Sequence, residues 1–395
     1  MSWVFIIGLY PIVLSGSDAR VELLASPAAG ASMTPYLGAS ASEMYLSWLE
    51  RSEKGYSLRL ARWDGERFSE PTTVRTANDF FANWADFPSV LPLEDGRVAV
   101  HWLEKAGEGT YEYDVRLSLS RDRGRNWDQP RKLHRDRTLT EHGFVSLASH
   151  GPDGLAAVWL DGRNGGEMSL YATTLAGNEL GDEQLLDERV CECCQTGMAA
   201  TDDGWLVAYR DRSAEEIRDI AYVRRIGGKW TEPKTLNPDG WKIEGCPVNG
   251  PQVSGRGRRL AIAWFSAAED EPRVQVVFSS DNGESFSAPI RLAATSPVGR
   301  VDVELVDDGA VVFWVEHVEG GTGEVRLQHV TPAGLSGGHV PVARTSSGRA
   351  SGFPRVAMFQ GELYIAWTES YERGGQSHVH VARVALDGGN QMRVR

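Results

Sequence analysis

The sequence predicts an all-β fold, a β-propeller of four-stranded antiparallel blades. Three observations carry this prediction: one strand pattern recurs along the chain, 43 glycines suit many tight turns, and many of the 13 tryptophans recur in register. The number of repeats favours seven blades. A six-bladed ring, in which one unit is an insertion, is the alternative.

The recurring unit is an alternating apolar strand that carries an aromatic residue, usually followed two positions on by an acid. The aromatic members are Trp48, Trp102, Trp159, Tyr209, Trp264, Trp314 and Trp367. From the first to the last, 319 residues divide into six intervals of about 53, a length that suits a four-stranded blade. Alternation with period two indicates half-buried strands, and equal register predicts that the aromatics pack between neighbouring blades.

The repeated acids should ring one face of the propeller, because each follows its aromatic at the end of a strand. They are Glu50, Glu104, Asp161, Asp211, Glu316 and Glu369. For most of them we favour a structural role, either capping of the strand end or pairing with an arginine of a neighbouring blade.

Composition and the first residues suggest where the protein works. The chain has a net charge of −13, which argues against a nucleic-acid binder because such proteins carry a basic face. Residues 1–19 are predicted as a signal peptide: an apolar run too short to span a bilayer is followed by Ser17-Asp18-Ala19, although no Lys or Arg precedes Arg20. A buried first strand or a misassigned start is the alternative. We therefore expect an exported, periplasmic or secreted monomer without a membrane span, with residues 20–395 forming one propeller closed by the strand Val21–Leu24.

Two segments carry the motif Ser-x-Asp-x-Gly-x-x-aromatic, from Ser120 to Trp127 and from Ser279 to Phe286. The Asp accepts backbone amides of the turn, the Gly supplies positive φ, and the aromatic anchors the turn to its sheet. The motif resembles the Asp-box, or BNR repeat, of the sialidase (neuraminidase) superfamily. This resemblance implies a propeller that acts on glycans.

The resemblance also implies a site: an arginine triad for the substrate carboxylate, a tyrosine nucleophile assisted by a glutamate, and an aspartic acid as proton donor. The stretch 207–220 is similar to a sialidase strand and loop, and Arg212 would then bind the carboxylate. The candidate proton donors are Asp211, Glu215, Glu216 and Asp219. The family's aromatic-Arg-Ile-Pro motif is absent, and its nearest echo is Gly352-Phe353-Pro354-Arg355, in a different order. An ion-paired, solvated loop is the alternative for each of these residues.

Further substrate-binding candidates come from blade topology. Arg163 lies in a looser version of the same strand and loop, and the polar loops that enter the innermost strands contribute His142, Arg300 and Arg349. The sequence shows no obvious nucleophilic tyrosine, although Tyr111 and Tyr371 lie in loops of the same face.

The four cysteines fall in two places, Cys191, Cys193 and Cys194 in one and Cys246 in the other. In an exported protein disulfides are expected: one bridge joins Cys246 to the cluster, and the second is either Cys191–Cys194 or the vicinal Cys193–Cys194. A thiolate metal site with Cys-x-x-Cys spacing and a labile redox bridge are the alternatives.

The leading functional hypothesis is a sialidase-like exported protein that hydrolyses a terminal acidic sugar without a cofactor. Its expected partner is a glycan or a small acidic sugar, not nucleic acid. The alternatives are a non-catalytic propeller that binds a glycan or a protein, and a propeller with a metal or redox centre at its cysteines. Fold alone does not choose among these functions.

Overall fold

The structure is a computed structural model that describes residues 19–150, 154–177, 179–370 and 376–386. These residues form seven antiparallel sheets arranged as the blades of a propeller, which confirms the seven-bladed all-β prediction. Residues 1–18 of the predicted signal peptide and Tyr371 lie outside the described residues. No helix in the described ranges is long and apolar enough to cross a membrane.

Blades 1 to 6 run from an inner strand to an outer one in chain order. Blade 1 contains β2 (Ser32–Ala39), β3 (Met44–Ser52), β4 (Gly55–Arg62) and β5 (Thr72–Ala77). Blade 2 contains β6 (Ser89–Pro92), β7 (Val98–Lys105), β8 (Tyr113–Ser120) and β9 (Arg131–Lys132). Blade 3 contains β10 (His142–His150), β11 (Gly154–Asp161), β12 (Met168–Ala176), β13 (Glu179–Leu180) and β14 (Gln184–Val190). Both β13 and β14 pair with β12.

The remaining blades repeat this order. Blade 4 contains β15 (Gly197–Thr201), β16 (Gly204–Arg210), β17 (Ile220–Ile226), β18 (Lys229–Trp230) and β19 (Lys234–Asn237). Blade 5 contains β20 (Gln252–Arg256), β21 (Arg259–Ser266), β22 (Arg273–Ser279) and β23 (Ile290–Arg291). Blade 6 contains β24 (Pro297–Leu305), β25 (Ala310–His317), β26 (Thr322–Thr331) and β27 (Gly334–Ser346). Three short 3₁₀ turns cover Ala268–Asp270, Glu319–Gly321 and Arg349–Ser351.

Blade 7 joins the two ends of the described chain. It contains β28 (Arg355–Phe359), β29 (Glu362–Glu369) and β30 (His378–Leu386), and its outermost strand is β1 (Ala19–Leu24). The register pairs Arg20 with Ala385 and Leu24 with Val381, so the strand Val21–Leu24 closes the ring.

The repeated aromatics lie between the blades. Trp48 of blade 1 is fully buried in one cluster with Phe359 and Tyr364 of blade 7, and Trp102 of blade 2 packs with Leu49 of blade 1. Burying a large apolar side chain contributes about 1.5–3 kcal/mol, so these contacts hold neighbouring blades together.

The strand-end acids satisfy the indole groups of the buried tryptophans. The Trp102 indole donates to Glu104 Oε1 at 2.9 Å, and the Trp159 indole donates to Asp161 Oδ2 at 2.6 Å. In blade 5 a serine stands at the acid position, and the Trp264 indole donates to Asp239 of the preceding blade at 2.7 Å. Most of the ring of acids is therefore structural, because a buried indole N–H needs an acceptor.

The two Ser-Asp-Gly turns have the geometry that their residue types predict. Gly283 adopts φ +78° and donates its amide to Ser279 Oγ at 2.9 Å, while Asp281 Oδ1 accepts the amide of Ser285 at 3.0 Å. A side chain at Gly283 would overlap Leu206 of the preceding blade, so this turn also seals a junction between blades.

Candidate functional site

The face on which the inner strands begin, called here the upper face, brings together the loops of all seven blades. At its centre lies the axis segment, residues 83–87. The Trp84 ring stacks on Phe353 with centroids 5.9 Å apart, and the Arg300 guanidinium lies 5.1 Å from its centroid. The Ala85 carbonyl accepts a hydrogen bond from Gln195 at 2.7 Å. The axis segment therefore contacts several blades and covers the upper end of the central channel.

Below the axis segment the channel forms a cavity of about 280 Å³ with buried charges on its wall. Arg355 lies 3.4 Å from Asp302 and donates to Gln252 at 3.0 Å. Burial raises the pKa of Glu304 to about 7 and raises that of Asp302. Arg355, the arginine of the scrambled family motif, thus serves the channel wall instead of the upper face.

A group of ion pairs on the upper face forms the arginine cluster, in which Arg189, Arg212 and Arg218 surround the carboxylates of Glu192 and Glu216. Arg189 comes from β14, the outer strand of blade 3. Glu192 follows in the loop into blade 4, and the other three lie in the loop after β16. The cluster therefore sits at the junction of blades 3 and 4.

All three guanidinium groups converge on Glu216. Arg212 contacts it through Nε at 3.0 Å and Nη2 at 2.7 Å, Arg218 Nη2 lies 2.9 Å away, and Arg189 Nη2 lies 3.3 Å away. Hydrogen bonds from Arg212 and Arg218 lower the pKa of Glu216 to about 2. Arg212 and Arg218 also contact Glu192. The cluster is thus an arginine array that holds a carboxylate, and Glu216 has the properties of a permanent anion.

Asp211 has the opposite character. Burial and the neighbouring Asp187 raise the pKa of Asp211 to about 6, although its Oδ1 accepts the backbone amide of Arg212 at 2.7 Å. A carboxyl group with this pKa carries a proton in mildly acidic solution, as a general acid requires.

The other two acids of the loop differ from Asp211. Asp219 is buried, and its two oxygens accept the backbone amides of Gly240 and Trp241 at 2.9 and 3.0 Å. Glu215 is exposed and accepts a hydrogen bond from the Ser213 hydroxyl at 3.0 Å. The structure therefore places Arg212, Asp211 and Glu216 together, Asp219 behind them, and Glu215 at the tip of the loop.

Two disulfides anchor the arginine cluster. Cys191 pairs with Cys194, and Cys193 pairs with Cys246, with Cα atoms 5.8 and 6.0 Å apart. Of the two pairings that the sequence left open, the structure adopts Cys191–Cys194. Arg218 Nη1 lies 3.5 Å from Cys191 Sγ, so a bridge packs directly against the cluster.

The arginines predicted from topology occupy separate positions. Arg300 is buried under the axis segment and donates to the carbonyls of Ser347 and Gly352 at 3.2 and 3.3 Å; burial lowers its pKa to about 10. Arg349 is exposed on the last 3₁₀ turn. Arg163 pairs with Asp161 and Glu183, each at 2.6 Å.

His142 does not join the arginine cluster. It is buried at the start of β10, with Nε2 3.0 Å from Asp136 and 3.6 Å from Asp161, at the junction of blades 2 and 3.

A tyrosine that sequence reasoning missed lies next to the axis segment. The hydroxyl of Tyr113 is 2.7 Å from Glu141 Oε1 and 2.9 Å from Asp86 Oδ2. Burial raises the pKa of Asp86 to about 8 and raises those of Glu141 and Tyr113. Because the hydroxyl has one proton to donate, a proton on Asp86 satisfies the second contact. Tyr113 belongs to no motif, and its 1% exposure hides it beneath Phe81, so only the fold reveals this group.

No protein-family model and no curated protein sequence matches the chain. Solved structures do match over most of its length. An ulvan lyase of polysaccharide lyase family 25 is 11% identical, with 91% of this chain and 95% of that chain covered and a TM-score of 0.56. An α-L-arabinanase of Penicillium chrysogenum is 12% identical, with coverages of 90% and 94% and a TM-score of 0.50.

The NanB sialidase of Streptococcus pneumoniae is 9% identical, with coverages of 87% and 83% and a TM-score of 0.45. At these identities the comparisons show the fold alone. The chain is a seven-bladed β-propeller, as its sequence predicted, and it shares this fold with the ulvan lyase and the arabinanase.

Proposed function

We propose that the protein is a sialidase-like, exported glycan-processing enzyme that hydrolyses a terminal acidic sugar at the arginine cluster. The observation that carries the proposal is the convergence of Arg189, Arg212 and Arg218 on the single carboxylate of Glu216. Glu216 stands in for the carboxylate of an acidic sugar, because guanidinium groups recognise that planar anion whichever molecule presents it.

The proposed reaction assigns the proton to Asp211. A substrate carboxylate replaces Glu216 on Arg212, and water adds to the anomeric carbon as the bond to the leaving oxygen breaks. That oxygen takes the proton of Asp211, whose raised pKa keeps it protonated below about pH 6. The added water releases one proton, which restores the proton that Asp211 donates in this step. Two disulfides agree with export, since such bridges persist in oxidising compartments.

Turnover of a fluorogenic sialoside, followed against pH, tests the proposal. Because Asp211 must be protonated, activity should fall as pH rises through about 6. Asp211→Asn should reduce kcat about 10²–10⁴-fold and remove that alkaline limb. Arg212→Ala removes two charge-assisted hydrogen bonds of about 1.5–3 kcal/mol each, so kcat/KM should fall at least about 100-fold.

Arg163→Ala is the matched control, because that arginine binds its own carboxylates outside the cluster. It should leave turnover unchanged. The absence of turnover on every acidic glycoside tested would refute the enzymatic proposal.

The burial of Tyr113 favours one other function, a non-catalytic glycan-binding propeller, because a tyrosine at 1% exposure is closed to a sugar. That function predicts binding of an acidic glycan without turnover, measured by calorimetry, and loss of the binding in Arg212→Ala.

A further inference from the structure

A second cluster of polar side chains, called here the His–Asp cluster, lies at the junction of blades 2 and 3. It consists of Asp114 in β8, His134 and Asp136 in the loop between β9 and β10, and His142 at the start of β10. The side chains of both histidines are fully buried, and Asp114 is 5% exposed. Neither the fold nor the proposed hydrolysis accounts for four polar groups in this position.

The cluster contains polar atoms without hydrogen bonds. Within the described ranges, neither ring nitrogen of His134 has a hydrogen-bond partner, and Asp114 Oδ1 has none either. These two side chains face each other, with His134 Nε2 3.4 Å from Asp114 Oδ1. A buried polar group that lacks a partner costs about 1–3 kcal/mol, so the arrangement calls for a further group between them.

The two ring nitrogens of His142 also have neighbours that do not fit a neutral imidazole. Its Nε2 contacts Asp136 Oδ2 at 3.0 Å, whereas its Nδ1 faces the carbonyl oxygens of Tyr113 and Thr140 at 3.1 and 3.2 Å. All of these neighbours are acceptors, and a neutral imidazole has only one N–H. If Nε2 donates to Asp136, the lone pair of Nδ1 points at oxygen atoms unless a cation lies there.

We propose that the His–Asp cluster binds a divalent transition-metal ion through Asp114 Oδ1, His134 Nε2 and His142 Nδ1. One donor atom from each of the three residues lies within 4.8 Å of the other two, and Asp114 Oδ1 is 3.4 Å from His134 Nε2 and 3.9 Å from His142 Nδ1. Zinc bonds of about 2.0–2.2 Å in a tetrahedron imply edges of about 3.3–3.6 Å, close to these separations. The two imidazole rings stack with centroids 3.8 Å apart and planes 11° from parallel, so they would rotate out of this stack to direct both nitrogens at one ion. Imidazole and carboxylate donors suit Zn²⁺ among the common divalent ions.

Asp136 has a different place in this site. By accepting the Nε2 proton of His142 it orients the ring and directs Nδ1 to the ion, as outer carboxylates do for metal-binding histidines. The second oxygen of Asp114, Oδ2, lies 2.9 Å from Lys132 Nζ. The Asp114 carboxylate therefore connects the ion to blade 2. The ion would thereby clamp blade 2, which supplies Asp114, to the first strand of blade 3.

The test uses the full-length protein, stripped with a chelator and titrated with Zn²⁺. Calorimetry should show one site per chain, and the ion should raise the thermal unfolding temperature. His134→Gln should abolish the rise in unfolding temperature. Asp136→Asn, which keeps every donor atom, should weaken binding about 10–100-fold.

His329→Gln is the matched control, since His329 Nε2 contacts Asp308 at 2.9 Å outside the cluster, and it should bind Zn²⁺ as the parent protein does. Co²⁺ distinguishes the two sites that could take a metal. A spectrum without sulfur-to-cobalt charge transfer supports the His–Asp cluster, and strong charge transfer would assign the ion to the cysteines and overturn the proposal. Failure of the stripped protein to bind Zn²⁺, or equal binding by Asp136→Asn, would also overturn it.

Discussion

The two disulfides should differ in how much they stabilise the protein, because they close loops of very different length. Cys193 and Cys246 are 53 residues apart, whereas Cys191 and Cys194 are three apart. The loss of loop-closure entropy in the unfolded chain gives about 4 kcal/mol for the long loop and about 1.6 kcal/mol for the short one. The long bridge joins the entries of blades 4 and 5, so its loss should also loosen the support of the arginine cluster.

Two variants isolate these contributions. A protein with Cys191→Ala and Cys194→Ala keeps only the long bridge, and one with Cys193→Ala and Cys246→Ala keeps only the short bridge. The free energy of unfolding is measured by denaturant titration with and without reductant. The difference within each variant removes the packing cost of the substitution itself. We expect reduction to cost about 4 kcal/mol in the first variant and about 1.6 kcal/mol in the second. Equal losses, or a larger loss in the second variant, would refute the entropic reasoning.

Three further substitutions test the fold. Gly283→Ala should destabilise the protein by about 1–3 kcal/mol more than Gly361→Ala in thermal unfolding, because both have φ near +80° but only the first overlaps Leu206. Glu104→Ala should cost about 2–4 kcal/mol in denaturant titration, since it leaves a buried indole and two arginines without their acceptor. Burial raises the pKa of Glu304 to about 7, so the folded state binds a proton that the unfolded state releases near pH 4.5. Stability should therefore fall by about 3 kcal/mol as pH rises from 4.5 to 8, and Glu304→Gln should flatten that slope.

The architecture could be predicted from the sequence because its signals are local and repeated. Each blade contains one recognisable alternating strand around an aromatic such as Trp102, and the residue types of the Ser-Asp-Gly turns determine the turn conformation. A structural role for most strand-end acids was also predicted, but as strand-end capping or pairing with an arginine. The hydrogen bond from a buried indole, as to Asp161, appears only in the structure.

The site was harder to predict because it depends on contacts between loops far apart in the chain. Arg212 and Glu216 were found from a strand-and-loop pattern. Sequence alone does not distinguish an acid whose pKa is lowered by arginines, such as Glu216, from one whose pKa is raised by burial, such as Asp211. Arg189 and Tyr113 were missed because their partners come from other strands and loops. These contacts are defined only when the blades are arranged around the propeller axis.

The pairing of β1 with β30 has a consequence for biosynthesis. Glu22 and Arg383 contact each other across 361 residues, so β1 cannot pair until β30 has been synthesised. Contacts this distant are slow to form, and unpaired edges favour association between chains until they do. We expect nascent chains stalled before β30 to present an open edge on blade 7 and to depend on chaperones that shield it.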